Sequence, residues 1–406
     1  MPLNPPIYDT RNKSTLANPF PVYAHLRKED PVHWHPRLKS WVLTRYDDVK
    51  RAHMTKDLSP DRITPFYANL PEKQRSVLQE VIRYLNLWMV FRDPPRHTHL
   101  RKIMNTAFTP RAIAELAPNI EIIVRQLLDR LDPSDSVDLV TEFATPLPAL
   151  VIMDILGVPH EMLPKIKHWS DDMMVFIGSA QGVPDKYERA RSGSEAMAAY
   201  FRDVIQDRRR NLGEDILSKM ITAQEDGEGF SEDELIASCM LILFAGHETT
   251  TNMVSGAFYM LYKFPDQKQH LIENSGIIDS AVEEFLRYDG PSNALARIVV
   301  KEHEISGKTL KVGDRVFAMS NSANRDGDQF SDPDVLDLTR KKNRHLTFGY
   351  GTHFCLGASL ARLEGKIAIN QFLERFPNYT CLDTVPLDWI DSLSMRGLHN
   401  LPTKLS

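Results

Sequence analysis

Cysteine is scarce in this 406-residue chain: only Cys239, Cys355 and Cys381 occur, far apart in sequence. An odd, sparse set is no disulfide framework, and no Cys-x-x-Cys spacing offers a zinc site. Long hydrophobic runs are missing too. The longest mostly apolar stretch, Ile236 to Gly246, is about half a membrane span and leads straight into His247 and Glu248. The N-terminus, MPLNPPIYDTRNKST, lacks the basic-then-apolar pattern of a secretion leader, so a cytoplasmic location is expected. Neither charge sign dominates: 49 Lys and Arg against 54 Asp and Glu give a net charge of −5. That balance argues against a dedicated nucleic-acid binder. No low-complexity tract, Gly/Ser linker or internal repeat divides the chain, and its 26 prolines are dispersed as punctuation. Length alone gives a soft expectation of two to three domains, but the pattern favours a single large α-rich domain over 1–406.

Helical periodicity is what the sequence does have, from about Pro94 to Pro291. Leu116, Ile120, Ile123, Val124, Leu127, Leu128 and Leu131 recur at helical spacing, as do Ala196, Tyr200, Phe201, Val204 and Ile205. Ser231-x-x-Glu234 reads as a capping box, with Pro265 beyond the far end of a long helix. Roughly thirty residues at 1.5 Å each make a rod of about 45 Å. Its centre, AGHETTT (Ala245 to Thr251), places Gly, a charge and three β-branched residues where Leu is the better helix former. Strand patterns are confined to His33–Leu43, Arg297–Val316 with a turn at Ser306-Gly307, and the last twenty residues.

The sharpest local signal is HLTFGYGTHFCLGASLAR, His345 to Arg362. Glycines around Cys355 let the backbone approach a large flat ligand, and the Ala-rich helix from Ala358 to about Phe372 begins just after it. A cysteine at a helix start is stabilised as thiolate, as an axial ligand to haem iron must be. Cys239 and Cys381 have no such setting and read as inert.

FGYGTHFCLG resembles the haem-ligand signature of the cytochrome P-450 superfamily, the haem-thiolate monooxygenases, and weaker motifs extend the resemblance over nearly the whole chain. The resemblance implies a mainly α, helix-rich fold with a small β-rich subregion, and haem b held by Cys355 with Phe348, Gly349 and Gly357 around it. Glu284-x-x-Arg287 resembles the family's ExxR pair, with Arg340 as third member of a buried network. His97, Arg101, Arg297 and His353 match the family's propionate partners. His99 reads as surface, and His33 and His35 as strand-flanking. Ala245-Gly246-x-Glu248-Thr249 resembles the oxygen-binding motif: Gly246 is expected to clear space for dioxygen, Thr249 to bond a neighbouring carbonyl or hold a water, and Glu248 to relay protons.

The implied reaction inserts one atom of O2 into a hydrophobic small molecule. No flavin or iron–sulfur segment is read in the chain, so electrons are expected from NAD(P)H through a separate ferredoxin or flavodoxin and its reductase. A peroxide-driven peroxygenase and a non-enzymatic haem-thiolate sensor remain alternatives. Lys341, Lys342 and Arg344 form a basic cluster for an acidic partner, with Arg96, Lys102 and Lys366 as extensions. Apolar pocket candidates are Phe66, Leu85, Trp88, Met89 and Val90 from one segment and Met173 from another. Leu243, Phe244, Ala294, Leu295, Met395 and Leu398 join them from the motif neighbourhoods. A monomer with no membrane span is expected.

Overall fold

Ser231 and Glu234 make the reciprocal cap that their spacing predicts. The Ser231 N–H donates to Glu234 Oε2 at 3.0 Å, and the Glu234 N–H donates to Ser231 Oγ at 3.2 Å. Two otherwise orphaned donors are thereby satisfied. The helix then runs Glu232–Lys263, 32 residues, and the next helix starts at Pro265. In this computed structural model the described residues are 8–9, 12–178, 183–213, 215–225, 231–382 and 386–406. Much of the N-terminal stretch read for a leader (1–7, 10 and 11) lies outside them.

The chain divides into two compact units. One comprises Met1–Leu58, Ile120–Thr145 and Thr249–Ser406, the other Ser59–Asn119 and Pro146–Glu248, so the long helix contributes to both. The first unit holds nearly all the strands. Val32–His35 and Ser40–Leu43 form an antiparallel hairpin, and Ser40–Leu43 runs parallel to Arg315–Ala318, which pairs antiparallel with Leu295–Val299. A second sheet brings Pro402–Lys404 between Ser136–Asp138 and Thr380–Cys381. His303–Ile305 and Lys308–Leu310 make the hairpin expected at Ser306-Gly307, where both φ angles are positive, 47° and 76°. One expectation is corrected: His33 and His35 lie within a strand, and His35 is buried with Nε2 2.8 Å from the Tyr8 carbonyl.

Aromatic packing ties the second half of the long helix to the helix Ala358–Arg375. Phe143, Phe258, Phe372 and Tyr379 pack with ring centroids 4.3 to 6.1 Å apart. Apolar stripes fall where the spacing predicts, with Ile120, Ile123, Val124, Leu127 and Leu128 buried on Ala117–Arg130. In the second unit Phe201 and Ile205 are buried on Lys186–Arg210. Among the described residues no helix is long and apolar enough to cross a membrane.

One polar network in the first unit fixes the chain that leads to Cys355. Glu284 and Arg287, on the helix Ile278–Tyr288, are completely buried. Arg287 donates to both Glu284 oxygens at 2.7 Å and to the carbonyls of Asn324, Pro333 and Val335 at 2.8–3.0 Å. Arg340 Nε reaches the same carboxylate at 3.1 and 3.2 Å, and Asn343 Nδ2 and the Asp337 N–H each donate to it at 3.0 Å. The expected triad is therefore formed, and Leu336, between the Val335 and Asp337 groups that join it, is buried. Removing the anion strands two guanidiniums in the interior. We expect Glu284→Ala to cost about 3–5 kcal/mol in urea unfolding, or to abolish soluble protein; a loss below about 1 kcal/mol would contradict this account.

Candidate active site

The signature loop turns back on itself before the helix begins. Gly349 and Gly351 both adopt φ of +71°, a conformation that costs other residues a Cβ clash. The Cys355 N–H donates to the Phe348 carbonyl at 2.9 Å, and Gly357 immediately precedes the helix Ala358–Arg375. Cys355 is exposed, whereas Cys239 and Cys381 are buried, as read from the sequence, and burial pushes the Cys239 thiol pKa up. A Cβ added to Gly357 would meet no atom within 4 Å. An exposed cysteine, with open space at Gly357 two residues on and next to the positive end of an 18-residue helix, fits a thiolate ligand to a flat prosthetic group.

Glu283, the neighbour of Glu284, grips both ends of this loop. Arg362 donates to its two oxygens at 2.5 and 2.9 Å, and His345 Nε2 lies 3.2 Å from Oε2. Arg362 also lies over the Phe348 ring, 4.6 Å from its centroid. Burial pushes the Glu283 pKa up, but His345 and Arg362 outweigh it and hold the carboxyl at about 2. Sequence reasoning missed this residue because Arg287, four positions on at helical spacing, turns to Glu284 instead, leaving Glu283 to partners far away in the chain. Its partners open and close the signature, 62 and 79 positions away.

The long helix is buried from Glu234 through Ser255 except at Ala245, Gly246, Glu248 and Thr249. These four, at i, i+1, i+3 and i+4, share one face. Thr250 and Thr251 are buried, consistent with packing roles. His247, between the motif residues and unassigned from sequence, points into the interior. Its Nδ1 is 2.9 Å from the Leu243 carbonyl and its Nε2 3.0 Å from Glu248 Oε1. Burial pulls the imidazole pKa down, but the Glu248 carboxylate outweighs it and raises it overall. A Cβ on Gly246 would sit 2.4 Å from Ile152 Cδ1, so the missing side chain leaves room for Ile152 beside this half-buried position.

Four residues were read as partners for haem carboxylates. His97 is buried on the helix Arg96–Ala107, one turn before half-buried Arg101, and its pKa is lowered by burial and then by Arg101. In the first unit Arg297 is buried on Leu295–Val299 with Nη1 donating to the Ala296 carbonyl at 2.9 Å, and His353 is half-buried in the turn Gly351–His353. His99 is half-buried with an enclosed Nε2, not a surface residue as expected.

The family model for cytochrome P450 matches residues 34–405. The chain belongs to the cytochrome P450 family. It is 38% identical to the vitamin D(3) 25-hydroxylase of Pseudonocardia autotrophica, over 98% of this chain and 96% of that one. Identity to the P450 monooxygenase PikC of Streptomyces venezuelae is 35%, over 99% and 95%. The solved structure of P450BioI in complex with a hexadec-9Z-enoic acid ligated acyl carrier protein superposes with a TM-score of 0.89 at 33% identity, over 97% and 99%. The protein is thus a cytochrome P450 monooxygenase with the expected fold, a haem-iron protein by family.

Within this P450, several predicted pocket and surface residues are corrected. Leu85, Trp88, Met173, Leu243, Ala294 and Leu398 are at most 2% exposed, so they fill the core and offer a ligand no surface. Trp88, for example, lies 5.3 Å from the Phe244 ring and stacks with Phe91. Met89 and Phe244 are nearly buried, whereas Val90 is 40% exposed and Phe66, Leu295 and Met395 keep part of their surface. Of the basic residues, Lys341, Lys342 and Arg344 are exposed as expected, and so is Lys102. Arg96 instead pairs with Glu234 of the helix cap, and Lys366 pairs with Asp279.

Glu283 gives a pH test. Its folded pKa lies below the unfolded carboxyl value, so its stabilisation is complete above about pH 5 and fades as pH falls toward 2. We expect Glu283→Gln to be less stable than wild type by at most about 3 kcal/mol at pH 7, with the gap closing below about pH 4 in urea unfolding. A gap independent of pH would contradict the assigned ion pair.

Proposed function

We propose that this cytochrome P450 hydroxylates a medium-to-large hydrophobic molecule with O2, using electrons from NAD(P)H delivered by a separate ferredoxin or flavodoxin and its reductase. The reading treats 1–406 as one cytoplasmic catalytic domain acting as a monomer. The observation that carries it is the accessible face of Ala245, Gly246, Glu248 and Thr249 in the middle of an otherwise buried helix.

Haem b, when bound, supplies the iron at which dioxygen is activated. Cys355 would be its protein ligand, with Phe348, Gly349 and Gly357 around the sulfur and His97, Arg101, Arg297 and His353 taking the two carboxylates. Charge-assisted hydrogen bonds of that kind are about twice as strong as neutral ones. Thr249 Oγ1 would hold a proton-donating water or hydroxyl, and Glu248 would carry protons inward to it. His247 Nε2, 3.0 Å from Glu248 Oε1, adds electrostatic attraction to that carboxylate without hydrogen-bond geometry.

Val90 and Phe66 in the second unit, and Leu295 and Met395 in the first, each keep accessible apolar surface suited to a hydrophobic substrate. The bulky apolar compounds printed in relatives' names, vitamin D(3) and a hexadecenoic acid, support that class. Electrons would arrive at the basic cluster Lys341, Lys342 and Arg344. The Arg344 carbonyl accepts from Tyr46 Oη at 2.7 Å, which fixes the cluster to the helix Tyr46–Met54. Lys50 of that helix adds a further cation.

Reduced protein under carbon monoxide should show the red-shifted band of a thiolate-ligated haem, and Cys355→Ser should lose it. We expect Thr249→Ala to keep haem and substrate binding while diverting most consumed NAD(P)H to hydrogen peroxide, measured as product formed per NAD(P)H oxidised. Full coupling in that variant would remove Thr249 from the proton path. For electron delivery, the reduction rate by an acidic ferredoxin should fall several-fold between low and physiological salt, and fall again in Lys341→Glu/Lys342→Glu. A salt-independent rate would exclude this face.

A further inference from the structure

His53 belongs to none of the motifs, yet it is placed like a ligand-binding group. It lies near the end of the helix Tyr46–Met54 and is 93% buried, with a relative exposure of 7%. Its Nε2 is enclosed and has no hydrogen-bond partner. A buried ring nitrogen left this way costs about 1–3 kcal/mol, so it calls for a partner from a ligand or an ordered water. The charge that acts on the imidazole is the Arg297 guanidinium, and burial together with that cation pulls its pKa down to about 3. Among the described residues no carboxylate is a named cause of that shift.

Its position is equally specific. The His53 carbonyl is 3.4 Å from where a Cβ of Gly351 would stand, so this helix end abuts the loop that carries Cys355. An uncharged imidazole with an unused ring nitrogen beside a guanidinium is a donor pair for an anion. The haem carboxylates supply that chemistry, since Arg297 is already read as one of their partners.

Resting on the haem assignment above, we propose that His53 is a fifth haem-propionate partner, its Nε2–H donating to a carboxylate beside Arg297. The bond secures the prosthetic group from a helix outside the recognised motifs. Charge-assisted hydrogen bonds of this kind contribute enough for about a tenfold effect on dissociation.

The test uses haem-loaded wild type, His53→Leu and His53→Gln. Haem transfer to excess apomyoglobin gives the loss rate, and a spectroelectrochemical titration gives the midpoint potential. Resting and carbon-monoxide spectra first establish whether all three proteins hold thiolate-ligated haem. We expect His53→Leu to lose haem about tenfold faster than wild type, with a lower midpoint potential because propionate charge is less well neutralised. His53→Gln, which keeps an N–H donor, should recover much of both. Equal rates and potentials in wild type and His53→Leu would overturn the proposal while leaving the haem assignment intact. Equal defects in Leu and Gln would also overturn it, by assigning His53 to packing. Wild type without a haem spectrum would overturn the haem assignment itself.

Discussion

Two adjacent carboxylates carry the architecture around Cys355. Glu284 faces inward, accepts from Arg287, Arg340, Asn343 and the Asp337 backbone, and is fully enclosed. Glu283, one residue earlier, turns to Arg362 and His345. Neighbouring helical residues point about 100° apart, so one turn of helix can address two different segments. One carboxylate anchors the approach to the cysteine loop, and the other ties the loop's two ends together. A buried ion network is weak evidence for net stability, because desolvation offsets the attraction. Its value here is geometric: the many hydrogen bonds leave the loop a single placement, as a metal ligand requires.

The long helix meets the opposite demand. A rod buried on every side is stable but offers no chemistry. Here an interruption of four residues on one face admits an acid and an alcohol to accessible surface. Behind that face the helix is held firmly: His247 reaches back to the Leu243 carbonyl, and Ile152 fills the space beside Gly246. Gly246 stands at the edge of that face, half-buried, with its missing side chain leaving room for Ile152. Close packing behind and exposure in front let polar residues stand in mid-helix without loosening the core.

What was legible in the sequence followed the range of the interactions involved. The capping box, the helical stripes, the Ser306-Gly307 turn and the glycine-flanked cysteine are local, and each formed where the spacing placed it. The parallel pairing of Ser40–Leu43 with Arg315–Ala318 joins residues some 275 positions apart, and no local pattern announces it. Glu283 and His53 were invisible for the same reason. The pocket suffered most: an apolar residue reads alike whether it lines a chamber or fills the core, and Leu85, Trp88 and Met173 proved to fill it.

Charge shows the same ambiguity with opposite sign. Arg340 and Lys341 are adjacent in a basic run, yet the first is drawn into the Glu284 network and the second faces solvent. Arg96 and Lys366, similar in sequence terms, are neutralised by Glu234 and Asp279. A cation already paired at short range projects little field beyond about a Debye length, roughly 8 Å in physiological salt. Only the unneutralised members of a cluster can steer an acidic partner from a distance. The positive field of this surface is therefore fixed by which arginines and lysines the fold consumes internally, and only the arrangement of the acids reveals it.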